Sequence, residues 1–165
     1  MTEFTYLFAE VTLDDVNAFL GKIKELVHRL GVELQVVDQE VVASEGHLIS
    51  SAAKAQRAFQ NQTASARSLG LETLLYLTGE RQIADALRVG GVMTGARKVV
   101  LLAYGKVDWE PVVEALKLRV VPQPPSPDRD RLIELGFTEE QLKSVIGPLE
   151  DLLLERAALV DLTKG

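Results

Sequence analysis

An α+β fold is what the sequence predicts: one small sheet of about four strands, mainly antiparallel or mixed, packed with about seven helices and ending in a helical C-terminal part. Three observations lead there. Segments of helical period follow one another in the middle and at the end of the chain instead of alternating with strands. Only four segments carry strand character, and the richest of them, at 97–104, is continuously apolar through Val99-Val100-Leu101-Leu102-Ala103, as a central strand covered on both faces would be. The length of 165 residues, 47% hydrophobic and 25% charged, supplies one core but not two full-sized ones. A single domain over 1–165 is expected, with a proline-rich connector at 122–127 before the last helices.

Taken in order, residues 4–11 are dense in aromatic and β-branched residues and read as the first strand. Thr12 with Asp15 resembles a capping box, opening a helix with Val16, Phe19, Leu20, Ile23, Leu26, Val27 and Leu30 along one face and Gly31 as its left-handed stop. Residues 32–38 form the second strand, which 41–43 either extend or follow as a separate piece. Ser44 and Glu45 start an alanine-rich helix with Leu48, Ala52, Ala55 and Phe59 on one side. After a polar break at 61–63, Thr63 is expected to cap a helix carrying Ala66, Leu69, Leu74 and Leu77 inward as far as Gly79.

A shorter helix runs from near Arg81 to Gly90-Gly91, where a left-handed stop and a tight turn are expected before the central strand. Asp108 caps a helix that tolerates Pro111 in its first turn, and 118–121 is the last strand. Proline then excludes both helix and central strand from the connector. Beyond it, residues 128–135 with Gly136, a capping box of Thr138 and Gln141, and a Gly147-Pro148 break before 149–162 complete the helical tail.

Composition excludes several functions. A formal charge of -6 and a pI near 5.0 argue against a protein that coats nucleic acid unspecifically. The absence of cysteine removes thiolate metal sites, thiol nucleophiles and disulfides, and fits a reducing compartment. The acidic first fifteen residues lack the form of a secretory signal, and no apolar run approaches the roughly 20 residues needed to cross a bilayer, so a cytoplasmic protein is expected. The charge is nevertheless segregated. Residues 51–100 hold seven bases against three acids, a net +4, which leaves -10 for the remainder.

Catalytic signals are thin. His28 sits by the last turn of a helix, where a cation suits the dipole, and His47 lies in a helix first turn among serines with no nucleophile motif around it. The run Gly90-Gly91-Val92-Met93-Thr94-Gly95 follows a helix and precedes a strand, the reverse of a phosphate-binding loop. Arg81 either faces outward beside a helix N-terminus, where basic groups suit a phosphate, or pairs with Glu72 or Glu80.

The run Thr78-Gly79-Glu80-Arg81-Gln82-Ile83-Ala84-Asp85-Ala86-Leu87, followed by Gly90-Gly91 and the strand at 99–102, closely resembles the kinase-binding subunit of the KEOPS complex, the TPRKB-like family, in its archaeal form. Three more stretches match in order: Val37-Asp38-Gln39-Glu40-Val41-Val42-Ala43 with His47; Ala66-Arg67-Ser68-Leu69 with Glu72-Thr73-Leu74-Leu75; and Ala158-Leu159-Val160-Asp161-Leu162. The similarity extends over nearly the whole chain and is most specific from Gly79 to Ile83.

This resemblance implies a non-catalytic accessory subunit without a cofactor. It would bind and activate the small atypical kinase/ATPase of KEOPS, reach the threonylcarbamoyl-transferase subunit only through that kinase, and recruit tRNA by its 3′ CCA end, with no membrane or DNA partner. Charge and motif together nominate Arg81 for phosphate or stacking and Gln82 for a base edge, with Lys54, Arg57, Arg67, Arg97 and Lys98 lining the approach. For the kinase, the apolar excess of the last helix nominates Leu149, Leu152, Leu153, Leu159 and Val160, because Leu152-Leu153-Leu154 sweep about 200° of a helix and exceed one buried stripe. A small-molecule regulatory domain is the alternative that the strand-helix-strand start and glycine turns suggest, and a hydrolase using His47 is a third.

Overall fold

The computed structural model describes residues 2–123, 128–145, 147 and 150–163. Along the chain they form β1 (Phe4–Leu13), α1 (Val16–Leu30), β2 (Glu33–Asp38), one 3-10 turn (Gln39–Val41), α2 (Glu45–Gln60), α3 (Leu69–Thr78), α4 (Ile83–Gly90), β3 (Gly95–Tyr104), α5 (Trp109–Leu116), β4 (Arg119–Val120), α6 (Arg129–Glu134), α7 (Glu139–Ser144) and α8 (Asp151–Thr163). The class is α+β as expected, with eight α-helices among the described residues instead of about seven. The sheet order is β2-β3-β1-β4, and every neighbouring pair is antiparallel.

β1 and β3 pair over their full length, from Phe4 opposite Tyr104 to Leu13 opposite Gly95. That ladder draws Thr12 into the strand, so the cap of α1 is Asp15, whose carboxylate accepts the Ala18 amide at 3.1 Å, and not the expected Thr12. Side chains alternate across β3 and build two cores. Val99, Leu101 and Ala103 join Ala9, Val11, Leu34 and Val36 under α1 and α5, where Phe19, Ile23, Leu26, Val112 and Leu116 close one face. Val100 and Leu102 join Phe8 and Val37 on the other face, under Leu48 of α2, Leu74, Leu75 and Leu77 of α3 and Ala86 of α4. The central strand is thus covered on both sides, as its unbroken apolar run requires.

Two helix boundaries differ from the sequence reading for visible reasons. α3 starts at Leu69 with Ser68 as its cap, not at Thr63, because the buried Glu72 carboxylate accepts the backbone amides of Ser65 (3.0 Å) and Ala66 (2.8 Å) and holds the preceding residues as a loop. At the end of α4, Gly90 is still helical and Gly91 is extended, so no left-handed stop forms. Glycine is needed at 90 for proximity: an added Cβ would lie 2.7 Å from Leu74 Cδ1, which is how closely α4 seats on α3.

The tail packs on the outer side of α2 and α3 through two small clusters. Leu132, Phe137, Leu142, Leu152 and Leu153 surround Ala43; Ala157 and Val160 meet Ala55 and Tyr76. Polar ties flank these contacts. Ser44 donates to Glu150, the Tyr76 hydroxyl donates to Asp161, and Arg156 donates to the Leu135 carbonyl at 2.7 Å while lying over the Phe137 ring. At its start the connector is held by Gln123, which donates to Glu45, a carboxylate in the first turn of α2 that also accepts the Tyr6 hydroxyl. No helix among the described residues is long and apolar enough to cross a membrane.

Candidate functional site

The turn between α3 and α4 presents the motif from Gly79 to Ile83. Thr78 donates its hydroxyl to the Leu74 carbonyl at 2.8 Å and accepts the Glu80 amide at 3.3 Å, while Gly79 closes α3 in the left-handed conformation at φ 73°. Its missing side chain also makes room for the tail, because a Cβ there would stand 3.1 Å from Arg156 Cδ. The chain thus emerges with Arg81 and Gln82 both exposed. Among the described residues Arg81 has no ion-pair partner, which decides against the pairing with Glu72 or Glu80; Glu72 is turned inward onto the Ser65 and Ala66 amides. Gln82 is the N-cap of α4, yet its side chain makes no capping bond. Arg81 and Gln82 are thus consecutive exposed residues at a helix start that Gln82 does not cap, where first-turn amides suit an anion.

The remaining nominated groups come from several other elements. Lys54 and Arg57 belong to α2, half-buried and exposed respectively, and Arg67 is exposed on the loop that Glu72 holds. α3 is 10 residues long, about 15 Å along its axis, and separates Arg67 from Arg81. Arg97 and Lys98 stand at the entrance of β3. The Arg97 guanidinium is engaged with its own turn, donating to the carbonyls of Met93 (3.3 Å) and Thr94 (3.0 and 2.7 Å). Arg67 and the Arg97–Lys98 pair thus stand apart from Arg81 and Gln82.

The place of Arg97 and Lys98 holds groups the sequence reading missed. An open concavity of about 640 Å³ is lined by Arg97 and Lys98 together with Lys117 and Arg119, which lie beyond the basic 51–100 stretch. Only strand pairing brings them together, so no local signal in the sequence marks them.

The nominated kinase contacts divide by burial. Leu152, Leu153 and Val160 are 6%, 0% and 3% exposed and are spent inside the domain, holding α8 down. This corrects the reading of the apolar excess as a free face: the helix is covered on more than one side because it packs against both α2 and α3, with Leu132 and Phe137 closing over it. Leu159 is 50% exposed, and Leu149 lies outside the described residues. The connector prolines Pro124, Pro125 and Pro127 also lie outside them.

His47 is fully buried in the seam between α2 and the tail. Its Nδ1 faces the Ala43 amide at 3.4 Å, and its Nε2 has no partner among the described residues. Burial pushes the imidazole down to about 3, with the nearby charges of Arg156 and then Arg131 acting in the same direction. Ser44 bonds to the His47 backbone amide, 3.0 Å away, and not to the ring. A neutral, enclosed ring with no hydroxyl on it is a packing group, and the hydrolase reading loses its base. Among the described residues no group of three or more acidic or imidazole side chains could hold a metal ion.

Comparison with known proteins bears on the family of the chain. The family model described as kinase binding protein CGI-121 matches residues 14–146, from the end of β1 to the end of α7. The regulatory protein Cgi121 of Methanocaldococcus jannaschii is 25% identical over 155 residues, covering 87% of this chain and 94% of that protein. With more than half of its residues matched, the exposed turn from Gly79 to Ile83 among them, the chain belongs to the kinase binding protein CGI-121 family.

Proposed function

We propose that this chain is a kinase-binding accessory subunit of the KEOPS tRNA threonylcarbamoyladenosine-modification complex, which binds and activates the small atypical kinase and holds tRNA by its 3′ CCA end without performing chemistry itself. The observation that carries the reading is the exposed Arg81-Gln82 pair at the uncapped start of α4, inside the stretch that matches the family. Arg81 would meet a terminal phosphate or stack on a base, and Gln82 would read a base edge. Arg67 would steer the strand from the far end of α3, and Arg57 and the half-buried Lys54 would add charge from α2.

For the kinase, Leu159 is the exposed member of the nominated set among the described residues, although the family match stops at residue 146, before α8. Leu87, 42% exposed on α4, lies within the match. Two measurements test the reading. Intact tRNA should bind more tightly than tRNA lacking its 3′ CCA, and Arg81→Ala should remove the difference without lowering the melting temperature; equal affinity for both RNAs overturns the CCA assignment. In pull-downs with the kinase, Leu159→Glu should reduce capture while leaving the domain folded. Loss in Leu87→Glu instead would move the contact to α4, and loss in neither would sink both surfaces.

A further inference from the structure

A row of charge crosses the end of the sheet. Glu10 of β1 stands opposite Lys98 of β3 on one side and Arg119 of β4 on the other, so the three side chains share one face. Antiparallel neighbours lie about 4.8 Å apart, which sets the backbones of the two cations roughly 10 Å from each other with the carboxylate between them. This is the face of Phe8, Val100 and Leu102, but the row lies beyond the part that α2, α3 and α4 cover, and it opens into the 640 Å³ concavity. Arg97, tied to the carbonyls of its turn, stands at the lip. Lys117 completes the lining from the end of α5, where it takes the left-handed conformation at φ 55° before β4.

Four cations against one carboxylate leave this place at +3 in a chain whose total is -6. Glu10 is committed to its neighbours: the Arg119 guanidinium bonded to it and the Lys98 ammonium beside it hold its carboxyl below the usual range. The other lining residues are Val11, Thr12 and Ala96. An interface for a protein partner is built around aromatic and large apolar anchors, and the lining has none. Binding to a sugar-phosphate backbone needs charge and an open track, and makes no demand for anchors.

We propose that the concavity formed by β1, β3, β4 and the end of α5 is a second RNA contact, which takes the phosphodiester backbone through Lys98, Lys117 and Arg119. The assignment rests on the RNA-binding reading above and extends it to a place that contains neither Arg81 nor Gln82. Arg97 shapes the lip, and Glu10 sets the strength of the site by holding Arg119 back. Glu10 therefore acts as a brake, and its removal improves binding.

The test is equilibrium binding of the full chain to intact tRNA and to tRNA lacking its 3′ CCA over a range of salt concentrations. The double variant Lys98→Ala/Lys117→Ala is expected to weaken binding to both RNAs about tenfold at low salt and to flatten the salt slope by about 1.5, the share of two phosphate contacts. Glu10→Gln is expected to tighten both. Both cations are exposed, so melting temperatures should not move. If the double variant keeps wild-type affinity and slope while Arg81→Ala still weakens intact tRNA, the second contact is refuted and the CCA reading survives. If the wild-type chain binds neither RNA, both fall. If the double variant loses capture of the kinase with tRNA affinity unchanged, the concavity belongs to a protein partner and the proposal is overturned.

Discussion

The sheet with its covering helices and the C-terminal tail are held by different physics. Between β1 and β4 the chain buries two continuous apolar cores, and Val99, Val100, Leu101, Leu102 and Ala103 are all fully enclosed. The tail docks through two small clusters interleaved with polar groups. Of these, His47 Nε2, Ser51 Oγ and Arg156 Nε are buried without a partner among the described residues. His47, Ser51 and Ala55 follow at four-residue spacing on the side of α2 that meets α8, so the unmet atoms lie along that seam. Burying such groups costs about 1–3 kcal/mol each, which offsets part of what the two small clusters contribute to docking the tail. A fold can thus carry a firm platform and a more loosely held cover in one chain.

Acidification should strain this contrast most. The unfolded chain takes up a proton on His47 near pH 6.5 and the native state only near 3, so stability falls as pH drops through that window, by at most about 5 kcal/mol at its lower end. His47→Leu should flatten this part of the profile in urea titrations. In wild type the loss should appear first as amide exchange in α8, since the protonated ring would face Arg156 and Arg131; simultaneous exchange from β3 would mean that tail and sheet open as one unit.

Cavity formation comes next. Leu153→Ala removes a fully buried side chain and should cost about 3 kcal/mol. If the regions are separable, exchange rises in the tail while the β1–β3 ladder stays protected. The smallest effect is expected from Tyr76→Phe, which deletes the hydroxyl bond to Asp161 and should cost about 1 kcal/mol, read as a lowered urea midpoint with the slope retained.

Sequence periodicity made most of the fold legible because its strongest signals were local. The unbroken apolar run of β3, the Ser44 cap and the Thr138–Gln141 capping box stand where they were expected. Where the structure differs from the local pattern, a distant partner decides the matter. The pairing of Leu13 with Gly95 lengthened β1, Glu72 withheld 64–68 from α3, and the packing on α2 and α3 consumed leucines that had looked available. The proposed site is legible in the same measure. Arg81 and Gln82 came from one contiguous motif, whereas Lys117 and Arg119 join Lys98 only through the sheet, and net charge per segment contains no such information.

Gly79 couples the two regions in a way that concerns sequence drift. Any side chain at 79 must adopt a strained φ of 73° and displace Arg156 from a distance of 3.1 Å, just before the residues that face the proposed RNA. With Arg156 shortened, only the backbone strain would remain. The effects of the two substitutions are therefore non-additive, and a change at 79 costs less once Arg156 is shortened. Mutational paths across this turn have a cheaper order, although the two positions lie far apart in the chain.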